Sequence, residues 1–102
     1  MQLYQAEWCP HSHKVRQRLT ELGLDFEARQ VPADPGRRSE LELVAGTNEI
    51  PVLVPHGAAE PVCGEEEILR FLERFEPRPD AEEHREKAAE EVPAFAEVRT
   101  AA

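Results

Sequence analysis

The chain has 102 residues, enough for one domain built on one modest core. Its 21 acidic residues against 12 basic ones give a formal net charge of −9, which repels phosphate backbones and anionic membrane surfaces, so neither nucleic acid nor a membrane is expected as a partner. No apolar run approaches the length of a membrane span, the first residues lack the basic and apolar regions of a signal peptide, and two cysteines are too few for a disulfide scaffold; together these point to the cytoplasm, with both cysteines held as thiols.

The first predicted element is a short strand, Gln2 to Gln5. It leads through Ala6 and Glu7 into Trp8, Cys9, Pro10, His11, Ser12 and His13, which open an amphipathic helix. Val15, Leu19 and Leu22 recur at i, i+4 and i+7, so the helix runs from about Pro10 to Leu22, where Gly23 can end it. Pro10 suits the first helical position because its fixed φ matches the turn and its missing N–H has no intrahelical acceptor to reach. Cys9 then sits at a helix N-terminus, where unpaired N–H groups and the helix dipole favour thiolate over thiol. Cys9 is the candidate nucleophile.

A second strand is predicted over Asp25 to Val31; strand, helix and strand in that order require a right-handed parallel βαβ unit. Pro32 to Gly36 reads as a turn-rich break. Ser39 and Glu42 have the spacing of a capping box ahead of Leu41, Val44 and Ala45, so a short second helix should run to Gly46. Two β runs, Ile50 to Val54 and Pro61 to Cys63, joined by His56 to Glu60, suit an antiparallel hairpin. A third helix follows from Gly64, with Ile68, Leu72 and Phe75 as its buried stripe and Glu65, Glu66 and Glu67 in the first turn, where the dipole favours acids. Pro77 and Pro79 end it. In the remaining tail, Asp80 with Glu83 reads as a capping box and Glu83 with Lys87 as a favourable i, i+4 pair, so Ala81 to Glu91 is expected to be helical; Val92, Phe95 and Val98 are its only bulky apolar residues for docking.

The pattern to residue 75 is βαβαββα, an α/β arrangement with a four-stranded mixed sheet. Three motifs within it, Trp8-Cys9-Pro10-His11-Ser12, Ile50-Pro51 and Cys63-Gly64-Glu65-Glu66, resemble those of glutaredoxins and of the N-terminal domain of glutathione S-transferases, both of which have the thioredoxin fold. The run from Cys9 to Arg16 is most similar to the transferase version, and Cys-Pro-His to that of bacterial disulfide oxidases. The resemblance implies a thioredoxin-fold domain over residues 1–76, followed by an acidic helical tail over 77–102. It also implies a thiol–disulfide oxidoreductase that acts on protein or small-molecule disulfides, uses glutathione or another low-molecular-weight thiol as co-substrate, carries no metal, and is a monomer or weak dimer.

Carried over residue by residue, the resemblance assigns Cys9, Pro10, His11 and Ser12 to the catalytic turn. It assigns Trp8, Ile50, a cis Pro51, Gly64, Glu65 and Glu66 to substrate or glutathione binding. The backbone of Ile50 would pair with an extended cysteinyl segment. Because Ser12 stands where dithiol glutaredoxins have a resolving cysteine, a monothiol cycle follows, closed by an outside thiol. Ser12 reads equally as a hydrogen-bond donor to the thiolate and as an ordinary first-turn residue.

Other positions depart from the family. Ala6 replaces a common lysine, and Glu49 and Glu65 add anions where a glutathione carboxylate would bind. Arg37 and Arg38 are the remaining cations for that carboxylate, or else solvated surface. Cys63 reads as a buried strand cysteine, with a resolving role as the alternative. His11 and His13 point to different helix faces and have no further ligand cluster, which argues against a metal. Two other classes of function remain open: a transferase-like domain, for which the tail is too short to be a helical substrate domain, and a non-catalytic iron–sulfur carrier or interaction module, whose Cys-Gly-Phe-Ser motif is absent.

Overall fold

The computed structural model of the protein describes residues 1–57 and 60–101, with side chains described as far as Val92. Strands β1 (Gln2–Gln5), β2 (Glu27–Gln30), β3 (Val52–Val54) and β4 (Val62–Cys63) form one sheet in the order β2-β1-β3-β4. β1 pairs in parallel with β2 and antiparallel with β3, and β3 pairs antiparallel with β4. Helices α1 (Pro10–Leu22), α2 (Ser39–Ala45), α3 (Glu65–Leu72) and α4 (Ala81–Ala101) complete the fold, with a single 3-10 turn at Pro35–Arg37. This is the thioredoxin fold, α/β with a mixed four-stranded sheet. No described helix is long and apolar enough to cross a membrane.

Strand periodicity divides the core between two faces. Leu3 lies opposite Leu53 in register and Tyr4 opposite Val52, so successive side chains point to opposite sides of the sheet. Leu3 and Leu53 join Val15, Leu19 and Leu22 of α1 and Ile68 and Leu72 of α3 in the larger cluster. Tyr4 and Val52 meet Leu41 of α2 on the other face. Each of the fully buried leucines contributes about 2 kcal/mol of transfer free energy, which makes the α1/sheet/α3 layer the rigid base of the molecule. α1 has the bounds expected for it. It ends at Gly23, whose φ of 68° places it in the left-handed region and whose N–H donates to Thr20 O at 3.0 Å.

Several expectations need correction. β2 and β3 are shorter than read, Glu27–Gln30 and Val52–Val54, because Asp25, Phe26, Val31, Ile50 and Pro51 lie outside the paired ladder. No Ser39–Glu42 capping box forms: Arg38 is the N-cap of α2, and Ser39 is already helical. The cause is the buried Arg38 side chain, whose Nε donates to Pro32 O at 2.8 Å, Nη1 to Asn48 O at 2.9 Å and Nη2 to Ala33 O at 3.1 Å. These bonds fix the backbone one residue early. α3 stops at Leu72, and Phe75 packs on the core from beyond the helix end. The hairpin connection expected over His56 to Glu60 includes residues 58 and 59, which lie outside the described residues.

Among the described residues, the tail docks on α1 through a buried carboxylate and its hydrogen bonds. Glu21 of α1 accepts from Arg18 Nη1 and Arg85 Nη2, both at 2.9 Å, and from Gln17 Nε2 at 3.1 Å. Arg78 N–H donates to Glu21 O at 3.0 Å, and Gln17 Nε2 also donates to His84 O at 3.2 Å. The Glu21 side chain is only 4% exposed. Burial pushes its carboxyl up, but the hydrogen bonds from Arg85, Gln17 and Arg18 outweigh that and lower its pKa to about 2. The Asp80 carboxylate is taken by Arg78 and His84, and Lys87 lies 3.9 Å from Glu90 instead of pairing with Glu83. Of the expected docking residues, Val92 is exposed, and the side chains of Phe95 and Val98 lie outside the described ones.

Candidate active site

β1 ends at Gln5, and the chain must turn sharply to start α1. Cys9 N–H donates to Ala6 O at 3.2 Å, which closes the turn. Arg16, one helical face further along, reaches back: Nη1 donates to the Gln5 side chain and, at 3.3 Å, to Ala6 O, while Nη2 lies 3.2 Å from Glu7. Gln5 Nε2 donates to Gln30 Oε1 at 3.0 Å, so β2, β1 and α1 are tied together behind the turn. Cys9 has extended backbone angles, φ −80° and ψ 117°, and is the N-cap of α1, with Pro10 inside the first turn.

A cysteine does here what serine or aspartate usually does at a helix start. The N–H of Ser12 donates to Cys9 Sγ at 3.4 Å, so the sulfur satisfies one of the helix's unpaired donors. That geometry rewards negative charge on sulfur, because an N–H···S bond and the helix dipole both strengthen when the acceptor is an anion. The Cys9 residue is 6% exposed. Ser12 is fully buried beside it, and its Oγ is the one buried side-chain oxygen or nitrogen among the described residues that lacks a partner. A buried hydroxyl without a partner costs about 1–3 kcal/mol, so its place next to the sulfur is a candidate for chemistry.

The other motifs close on this turn from the side. The Ile50–Pro51 peptide is cis, and Pro51 is buried. Pro51 O accepts from Gly64 N–H at 2.9 Å, so the start of β3 lies against the start of α3. Gly64, at φ 90°, caps α3 with no side chain of its own, and the backbone angle favours glycine there. From the first residue of α3, Glu65 accepts from His11 Nδ1 at 2.7 Å and lies 3.8 Å from Lys14 Nζ. Residues 9–12, 50–51 and 64–65 therefore share one corner. Trp8 is exposed beside it.

Some expected members stand apart. Glu66 points to Arg70, 3.5 Å away on α3. Arg38 is buried and its donors are consumed by three carbonyls, so the reading of it as a free cation for a ligand carboxylate, or as solvated surface, is corrected; Arg37 is exposed. Cys63 is exposed at the end of β4, not the small buried hydrophobe expected there. Among the described residues no group of three or more His, Cys, Asp or Glu gathers as metal ligands do. The sequence reading also missed the Gln5–Arg16 clamp. Its only trace is a glutamine that follows the core residues Leu3 and Tyr4 at the end of a strand, together with an arginine one turn past Ser12.

The glutaredoxin family model matches residues 1–58, more than half of the chain. Among solved structures, a glutathione S-transferase from Rhodospirillum rubrum F11 is 28% identical with a TM-score of 0.61, over 72% of this chain and 32% of that one. A glutathione S-transferase domain-containing protein from Marinobacter aquaeolei VT8 is 21% identical with a TM-score of 0.64, over 74% of this chain and 39% of that one, and shows a shared fold. The chain thus spans about a third of the length of these two proteins. No curated protein sequence matches it. Its fold and the extent of the family match together establish that the chain belongs to the glutaredoxin family.

Proposed function

We propose that the protein is a monothiol thiol–disulfide oxidoreductase with Cys9 as its nucleophile. The observation that carries this reading is the N-cap geometry of Cys9, with Ser12 N–H on its sulfur. In the first step the Cys9 thiolate attacks one sulfur of a disulfide R–S–S–R. A Cys9–S–S–R bond forms, the original S–S bond breaks, and RS⁻ leaves to take a proton from water. An outside low-molecular-weight thiol, glutathione or another of that class, then attacks the R sulfur of the mixed disulfide as its thiolate; a new disulfide forms between that thiol and R, the Cys9–S–S–R bond breaks, and Cys9 leaves as the reduced thiolate. The Ser12 N–H supplies a hydrogen bond to the sulfur; the Ser12 hydroxyl, which bonds nothing in the resting structure, would turn to the sulfur only while it is anionic, and has no bridging role. Trp8 and the backbone at Ile50 and Pro51 flank the substrate, and the start of α3 at Gly64 and Glu65 faces the thiol co-substrate.

A glutathione S-transferase-like role is the second reading, favoured by the two transferase neighbours. The two separate in one experiment. Incubate wild type and Cys9→Ser with hydroxyethyl disulfide, weigh the intact protein, then add glutathione and follow turnover; run chlorodinitrobenzene conjugation in parallel. The oxidoreductase reading expects a one-to-one adduct on Cys9 that glutathione removes and that Cys9→Ser lacks. Conjugation without disulfide turnover would select the transferase.

A further inference from the structure

The corner around Cys9 holds cations, but the protein's own carboxylates already occupy them. A helix start such as that of α3 attracts anions through its free N–H groups. Here Gly64 offers no side chain, and Glu65 places its own carboxylate at that start. The carboxylate is 22% exposed and is held by His11 Nδ1 at 2.7 Å and Lys14 Nζ at 3.8 Å. These are a histidine and a lysine that α1 presents beside the catalytic turn. Arg16, the other fixed cation near the turn, is bound to Gln5, Ala6 and Glu7. On the opposite rim, Glu49 is exposed directly before the Ile50–Pro51 bond, and no ion pair among the described residues involves it.

We propose that Glu65 is a specificity determinant of the Cys9 site, selecting cationic and neutral disulfides over dianionic ones. This rests on the oxidoreductase reading above. A disulfide carrying carboxylates must either displace Glu65 from His11 and Lys14 or lie against it, with Glu49 on the other side. A disulfide carrying ammonium groups meets two carboxylates without losing any contact. The partner class is therefore a small aminothiol disulfide, or a protein disulfide set in a basic segment.

The test uses three disulfides of similar size: cystamine (dication), hydroxyethyl disulfide (neutral) and dithiodiglycolate (dianion). Rates of mixed-disulfide formation on Cys9 are measured at fixed pH in low and high salt. The readout is the cystamine-to-dithiodiglycolate rate ratio of wild type divided by that of Glu65→Gln. Leaving-group differences and any general change in Cys9 reactivity cancel in this quotient. It should be roughly threefold or more at low salt and fall towards one in high salt. Glu49→Gln, whose side chain is exposed, should lower the ratio in the same direction and covers the case in which Glu65→Gln does not fold. A quotient near one for the folded variants, or a wild-type preference for the dianion, overturns the role of Glu65 while leaving the oxidoreductase intact. Failure of all three disulfides to react with wild-type Cys9 overturns both.

Discussion

Replacing Glu21 with glutamine should unfasten the tail helix from α1, and the size of the effect follows from one carboxylate. In the folded protein Glu21 titrates at about 2 instead of 4.5, because the bonds from Arg85, Gln17 and Arg18 outweigh its burial. A difference of that size corresponds to about 3 kcal/mol of stability at neutral pH. Arg85 is 56% exposed, so solvent screening trims its share, and the expected loss in Glu21→Gln is about 2 kcal/mol. The folded value lies below the unfolded one. The stabilisation is therefore complete above pH 4.5 and is lost as the pH falls towards about 2, where the folded carboxylate itself takes up a proton. Urea unfolding of wild type and variant should show the full gap near pH 7 and less than about a third of it near pH 2.5. A variant as stable as wild type at neutral pH, or a gap that does not close in acid, would refute the argument that this buried charge holds α4.

Three other outcomes follow from the site and its support. Ser12→Ala should leave stability unchanged or raise it by up to about 1 kcal/mol, since it removes a buried hydroxyl without a partner, yet it should slow thiol exchange in stopped-flow assays with hydroxyethyl disulfide. Arg38→Met should cost about 3 kcal/mol in chemical denaturation, because the carbonyls of Pro32, Ala33 and Asn48 lose their donors together, with the Cys9 turn unaffected in the remaining folded protein. Ser12→Cys should close an internal disulfide with Cys9 on diamide oxidation, read by intact mass, whereas Cys63→Ser in the wild-type background should retain exchange with small disulfides.

Local signals located most of this structure, and long-range ones were the losses. α1 was bounded by proline at its start and glycine at its end, two residues whose backbone chemistry acts within one turn. That Leu3 and Tyr4 face opposite sides of the sheet follows from period-two alternation, whereas their antiparallel partners Leu53 and Val52 do not, because the pairing joins strands far apart in the chain. The α2 start was misread because Ser39 has the chemistry of a cap, whereas the deciding interaction is an arginine bonded to carbonyls up to ten residues away. Glu21 and Arg85 are 64 positions apart, and nothing in either neighbourhood marks the pair. In the site, Cys9 was legible from its position before Pro10. The His11–Glu65 contact was not, because it joins two helix starts across 54 residues. Glu65 looked like a free anion in the sequence and is in fact a carboxylate held by α1.

Competition between the two thiols tests the central claim most directly. Cys9 is 6% exposed and Cys63 is exposed, so accessibility alone favours labelling of Cys63. Activation at the α1 N-cap favours Cys9. Substoichiometric iodoacetamide at neutral pH, followed by peptide mass mapping, should find the label on Cys9 ahead of Cys63. Label on Cys63 first, with Cys9 modified only after unfolding, would contradict the assignment of Cys9 as the nucleophile.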